Sequence, residues 1–233
     1  MAEIVVAFEG PIGTGKSTEV EYIENAVDKF AKQLGMPITC KPEFEDDPAR
    51  DNLYLDINLH GGPLEVEYLL ARRARAHETL RTPGAVLYDR SAIAAWYVFY
   101  KNALAQGYIR PPYDTIYKQI FDEFMEEMIQ VGDHRGIESL VINMTVPNAE
   151  ILIERTERRT QERGEQPVPA DYLRRNFERY GEYMERLPEI RRELGLSPVK
   201  ILTIDSSQPL TEAYLEANAQ QIIRKMKEMR TNG

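Results

Sequence analysis

The run Gly10-Pro11-Ile12-Gly13-Thr14-Gly15-Lys16-Ser17 constrains this chain more than any other stretch. It fits Gly-x4-Gly-Lys-Ser, a phosphate-binding loop, which works only between a strand and a helix. The flanks supply both. Ile4-Val5-Val6-Ala7-Phe8 is a short apolar run rich in β-branched residues, and Val20, Ile23, Val27 and Phe30 follow at helical spacing. Glycines let the backbone turn its N–H groups onto phosphate oxygens, and the helix start adds partial positive charge at the same point. The candidate ligands of a nucleoside triphosphate are therefore Gly10, Ile12, Gly13, Thr14, Gly15, Lys16, Ser17 and Thr18. Lys16 supplies a full charge for the β- and γ-phosphates, and the Ser17 hydroxyl suits Mg²⁺.

The rest of the chain alternates strand and helix patterns, which reads as an α/β fold with a parallel sheet and crossover helices. Strands are expected near 3–9, 37–41, 85–88, 140–144 and 200–204. Helices are expected near 15–34, 49–60, 64–82, 92–106, 113–131, from about 148, and at 170–187 and 210–229. Gly61-Gly62-Pro63 reads as the stop between the second and third of these. No repeat, linker or low-complexity tract interrupts the 233 residues, so a single domain over 1–233 is the economical reading.

The formal net charge of −9 argues against a nonspecific nucleic-acid or anionic-membrane surface. An anionic substrate needs a local basic site. Cys40 is the one cysteine, so no intramolecular disulfide forms and a reducing, cytoplasmic setting is expected. The first strand begins almost at once, leaving no room for a signal peptide, and no apolar run approaches membrane-spanning length. His60, His77 and His134 lack metal-ligand spacing and receive no role.

Three further constellations accompany the loop. Carboxylates crowd residues 43–47, just beyond the second strand, where open parallel sheets bind ligands. Glu43 there suits a base for an acceptor hydroxyl, against the plainer reading of a solvated acidic loop. Asp89-Arg90-Ser91 ends a strand: Asp89 suits Mg²⁺ and Arg90 an acceptor oxygen, but the same residues can simply start the next helix. Arg155, Arg158, Arg159 and Arg163 form a cluster in which the first three share a helix face. It suits closure over a transferring phosphoryl group, or else a solvated helix paired with Glu154, Glu157 and Glu162.

In this order the constellations resemble the deoxynucleoside kinase family over nearly the whole chain. Phe8 through Thr18 resembles the family's opening, and Glu43 through Pro48 its glutamate with an acidic turn ending in proline. Asp89-Arg90-Ser91 is similar to its (Glu/Asp)-Arg-Ser signature, Arg155 to Gly164 to its arginine-rich lid, and Ile201 to Asp205 to its last strand. The resemblance implies a three-layer P-loop kinase fold with a five-stranded parallel sheet and a lid over about 155–168. It also implies ATP and Mg²⁺ as cofactors, a deoxynucleoside as acceptor, and a homodimer. By the same resemblance Glu43 takes the proton from the sugar 5′-hydroxyl, Arg90 orients that hydroxyl, and Ser17 and Asp89 hold Mg²⁺. Lys16, Arg155 and Arg159 grip phosphate, and Tyr68, Arg73 and Glu162 join Glu43 and Arg90 around the substrate.

The chain departs from the family in three places, one of which is the irregular spacing of the lid arginines. The spacing to Pro48 leaves Glu43 and Glu45 as alternatives for the base. No glutamine occurs in 49–82 to read the base edge; Glu65 and Glu67 lie there instead. Two other readings stand beside the nucleoside kinase. A thymidylate-type monophosphate kinase would use Arg72, Arg73 or Arg75 on the acceptor phosphate, and a noncatalytic kinase-like subunit would have no need of Lys16, Ser17, Asp89 and Arg90.

Overall fold

The computed structural model describes the backbone of residues 2–41, 57–135, 137–163 and 168–231. Five strands, β1 (Ala2–Glu9), β2 (Ile38–Lys41), β3 (Gly84–Asp89), β4 (Glu138–Thr145) and β5 (Lys200–Asp205), form one parallel sheet in the order β2-β3-β1-β4-β5. The helices are α1 (Lys16–Asn25), α2 (Val27–Leu34), α3 (Ile57–Arg81), α5 (Pro111–Arg135), α6 (Glu150–Arg163), α7 (Ala170–Glu193) and α8 (Glu212–Thr231). Between α3 and α5 lies α4, built from Ala92–Ala94, a wide π-helical turn at Ala95–Tyr100, and Lys101–Ala105.

Alternation along β1 divides the core in two. Ile4, Val6 and Phe8 point into a layer closed by α1, α2 and α8, whose Val20, Ile23, Phe30, Ile222 and Met226 are all buried. Ala7 faces the opposite layer, filled from α4, α5 and α7 by Val98, Phe99, Phe121, Tyr180 and Tyr183. Within the π turn Val98, Phe99 and Tyr100 are buried in succession.

The strand expectations hold to within a few residues. The expected stop at Gly61-Gly62-Pro63 does not form, because α3 runs unbroken through it. A Cβ on Gly62 would stand 2.7 Å from Tyr113 Cδ2, so this glycine lets α3 approach the first turn of α5. Pro63 forfeits a helix hydrogen bond, and burial of Leu64 and Leu69 in the same helix offsets the loss. Likewise α7 continues through Pro188 to Glu193, held by buried Leu187 and Ile190. Residues 49–56 of the expected short helix lie outside the described residues.

The α1 and α8 layer contains a buried carboxylate. Glu19 is fully buried and accepts one hydrogen bond, from Asn218 Nδ2 at 3.2 Å. Burial pushes its pKa up to about 7, with the Asn218 bond acting weakly the other way. Because the folded pKa lies above the ordinary value of 4.5, this site is harmless below that pH and destabilises progressively as pH rises through about 7. Glu19→Gln keeps an acceptor for Asn218 and removes the charge. Urea unfolding should show it more stable than wild type by about 1–3 kcal/mol near pH 8, with the gap closing below about pH 5. A gap independent of pH would contradict the buried charge.

Candidate active site

The parallel register sets the C-terminal ends of β1 and β3 side by side, with Phe8 opposite Asp89. The phosphate loop leaves the first strand and Asp89-Arg90-Ser91 leaves the second, so the two motifs meet at the sheet edge where such folds bind ligands. Gly10 has φ 148°, and a Cβ there would stand 2.5 Å from the Met144 carbonyl oxygen, so only glycine fits. Lys16 is 5% exposed and donates to the carbonyls of Gly10 and Pro11, both at 2.9 Å. The Thr14 hydroxyl also donates to Pro11 O, at 2.9 Å.

The Ser17 hydroxyl donates to Asp89 Oδ2 at 2.7 Å. The two groups expected to share a metal thus converge beside Lys16, and no cluster of three or more potential metal-ligating side chains occurs among the described residues. Magnesium commonly takes only one or two protein ligands, the remainder coming from water and substrate phosphates, so the pair fits it.

Arg90 takes φ 62°, a left-handed backbone rare outside glycine. Its N–H returns to Phe8 O at 2.9 Å, and its guanidinium lies 3.9 Å from the centroid of the Phe99 ring. Such strain clusters at functional sites. Ser91 caps α4 by accepting from Ala94 N at 3.1 Å, so the capping reading holds for Ser91, while Asp89 is directed to Ser17.

Sequence reasoning missed Glu9. It is fully buried, Oε1 accepts the Ser91 N–H at 2.8 Å, and Oε2 lies 3.5 Å from the Tyr180 hydroxyl. Burial raises its pKa to about 7 against the opposing pull of the Ser91 bonds, Arg90 and Lys16. Its place two residues after Ala7, on the same side of the strand, was the available signal.

On α3 the arginines divide. Arg73 turns to α5, where Glu127 pairs with it through both oxygens and Glu123 Oε2 lies at 3.3 Å; His77 shares Glu127. Arg72 faces inward, 7% exposed, with its guanidinium 5.5 Å from the Tyr68 ring centroid. Glu65 lies near Arg72 and Arg90, which lower its pKa, while loss of solvent raises it more, to about 7. The helical repeat was visible in the sequence, but which arginine the fold turns inward was not.

Along α6, Arg155 spans the turn after β5, donating to the carbonyls of Ser206 at 2.6 Å, Ser207 at 3.1 Å and Gln208 at 2.9 Å. Arg158 and Glu162 are both exposed and 3.9 Å apart, a solvated i, i+4 pair. Arg159 is half-buried. Asn176 of α7, unremarked in the sequence, is fully buried and accepts the Ile12 N–H at 3.3 Å. Glu43, Glu45 and lid residues 164–167 lie outside the described residues, as does the side chain of Arg163.

A glycine-rich loop on the central strand, an acid and an arginine on its neighbour and an arginine-bearing helix beyond define a P-loop kinase fold. The deoxynucleoside kinase family profile matches residues 6–230, and the chain belongs to that family. It is accordingly a kinase that phosphorylates deoxynucleosides with ATP. Among solved structures it is similar to a deoxyadenosine kinase from M. mycoides with bound dATP, at TM-score 0.61 and 17% identity over 94% of this chain and 98% of that one. The same enzyme with the products dCMP and a flexible dCDP gives TM-score 0.60 and 16% identity over 96% and 99%. At these identities the likeness speaks for the fold. No curated protein sequence matches the chain.

The grip of Arg155 on three carbonyls needs a guanidinium fork, which lysine lacks. Arg155→Lys is expected to loosen the 206–208 turn and raise the KM for ATP about threefold to tenfold, with the KM for the nucleoside unchanged. Steady-state kinetics with each substrate varied in turn would check this; equal KM values for ATP in the two proteins would contradict the phosphate-side role that the family resemblance implies for Arg155.

Proposed function

We propose that the enzyme passes the γ-phosphoryl group of Mg²⁺-bound ATP to the 5′-hydroxyl of a deoxynucleoside. The observation that carries this reading is the meeting of Ser17 with Asp89 at 2.7 Å beside Lys16, with Arg90 next in the chain. Lys16 and the loop's N–H groups hold the β- and γ-phosphates, and Ser17 and Asp89 hold the metal. Glu43 accepts the hydroxyl proton as the sugar oxygen bonds to the γ-phosphorus and the bond to the β-phosphate oxygen breaks, releasing ADP. Its role rests on the family resemblance and on its position two residues after β2. Arg90 orients the hydroxyl, and Arg159 with Glu162 closes from the lid. Catalysis of this kind is mostly positioning and neutralisation of charge.

Two acceptor-side assignments belong to this reading. Arg72, facing inward beside Tyr68, takes the role first given to Arg73, whose guanidinium is held by Glu123 and Glu127. Glu65 stands for the missing glutamine: with a pKa of about 7 its carboxyl retains a proton over much of the range below neutrality, and so offers the base edge both a donor and an acceptor.

The homodimer is what the family resemblance implies, and it remains part of this proposal. A cytoplasmic setting is supported by the single cysteine. No helix among the described residues is long and apolar enough to cross a membrane.

Glu43→Gln should lower kcat by about 10²–10⁴-fold with ATP binding retained by calorimetry, as expected on loss of a general base. Asp89→Asn should lower turnover and shift the Mg²⁺ requirement upward. Wild-type kcat in Glu43→Gln would pass the base to Glu45, which Glu45→Gln then tests; wild-type behaviour in all three variants would sink the site.

A further inference from the structure

Asn176 is an unfavourable residue for the place it occupies. It lies in the second turn of α7, 0% exposed, on a stripe whose other inward positions are Leu173, Tyr180, Tyr183 and Leu187. Asparagine is a weaker helix former than the leucine such a stripe suits, and a buried amide must recover lost hydration through hydrogen bonds. Asn176 recovers part of it. Oδ1 accepts the Ile12 N–H, 164 positions earlier in the chain, and Nδ2 has no partner among the described residues. A half-satisfied buried amide is a poor stabiliser. The bond it does make reaches the loop that holds phosphate.

The neighbouring helix closes on the same loop by another means. A Cβ on Gly13 would stand 3.2 Å from Thr156 Oγ1 and 3.3 Å from Leu152 O, both on α6. So the arginine-bearing helix α6 and the following helix α7 each rest on the phosphate loop. The α6 contact is one of close packing, which fixes distance. The α7 contact is a directed hydrogen bond, which fixes the orientation of one peptide plane.

We propose that Asn176 is a positioning residue for the triphosphate. It turns the Ile12 N–H, which the loop motif alone would assign to phosphate, toward α7, leaves the donors from Gly13 onward for the phosphates, and so couples the placement of the lid's second stem to the shape of the loop. Asn176 makes no contact with substrate in this scheme. The proposal rests on the reading of the loop as the ATP site.

The test compares wild type, Asn176→Leu and Asn176→Asp. Asn176→Leu fills similar space and removes the acceptor; Asn176→Asp keeps an acceptor. Asn176→Leu should raise the KM for ATP about threefold to tenfold, the effect of one hydrogen bond, with the nucleoside KM within about twofold. Its Tm should not fall, since a half-satisfied amide has been replaced by hydrocarbon. Hydrogen exchange at the Ile12 amide should quicken in Asn176→Leu and stay slow in Asn176→Asp. An unchanged KM for ATP in folded Asn176→Leu, or equal Ile12 exchange in the two variants, would overturn the proposal. The exchange comparison needs no turnover, so it stands apart from a failure of the kinase reading, which would show first as an inactive wild type.

Discussion

The site depends on the hydrogen bond between the Ser17 hydroxyl and Asp89. That bond exists because β3, not β2, lies beside β1, and because the register brings Phe8 opposite Asp89. Two more bonds stitch the same strand ends: Arg90 N to Phe8 O, and Ser91 N to Glu9 Oε1. The left-handed backbone at Arg90 belongs to this stitching, since the chain must turn sharply after β3 while its N–H returns to β1. The phosphate loop and the Asp89-Arg90-Ser91 turn are therefore tied together at the strand ends, which suits the proposed reaction, whose catalysis is largely alignment.

Charge is distributed around those strand ends with economy. The protein as a whole is acidic at −9, yet Arg90 and Lys16 stand near Glu9, and Arg72 and Arg90 near Glu65. Glu9 is held out of water by Tyr180 and Tyr183. Its pKa of about 7 records a contest in which desolvation outweighs the attraction of Arg90 and Lys16. Glu65 shows the same balance near Arg72 and Arg90. Carboxyl groups poised near neutrality beside cations are common at functional sites, because the environment that serves the substrate also perturbs them.

Much of this was legible in the residues themselves. The phosphate loop carries its own geometry in its glycines, and the five strands stand out as apolar, β-branched runs, so the parallel fold and the Asp89-Arg90 pair could be placed before any coordinates. The break at Gly61-Gly62-Pro63 was misread because glycine and proline punctuate a chain only when nothing pays for helix; here Tyr113 needs the space that Gly62 leaves. Arg73 and Arg72 are adjacent and chemically alike, and only the packing of α3 on α5 decides which one turns inward. In the sequence Glu9 shows only its inward place on β1, and Asn176 looks ordinary. Their meaning comes from partners 82 and 164 positions away, a separation that no local pattern encodes.

The central claim is that this platform delivers phosphate to a hydroxyl. The most direct measurement is product analysis by ³¹P NMR after incubation with ATP and Mg²⁺, each of the four deoxynucleosides and their monophosphates being supplied in turn. The account predicts ADP together with a new phosphomonoester when a deoxynucleoside is supplied, and names the preferred base by the largest yield. A new diphosphate formed only from a monophosphate would contradict it, and would recast Arg72 as a ligand of the acceptor phosphate.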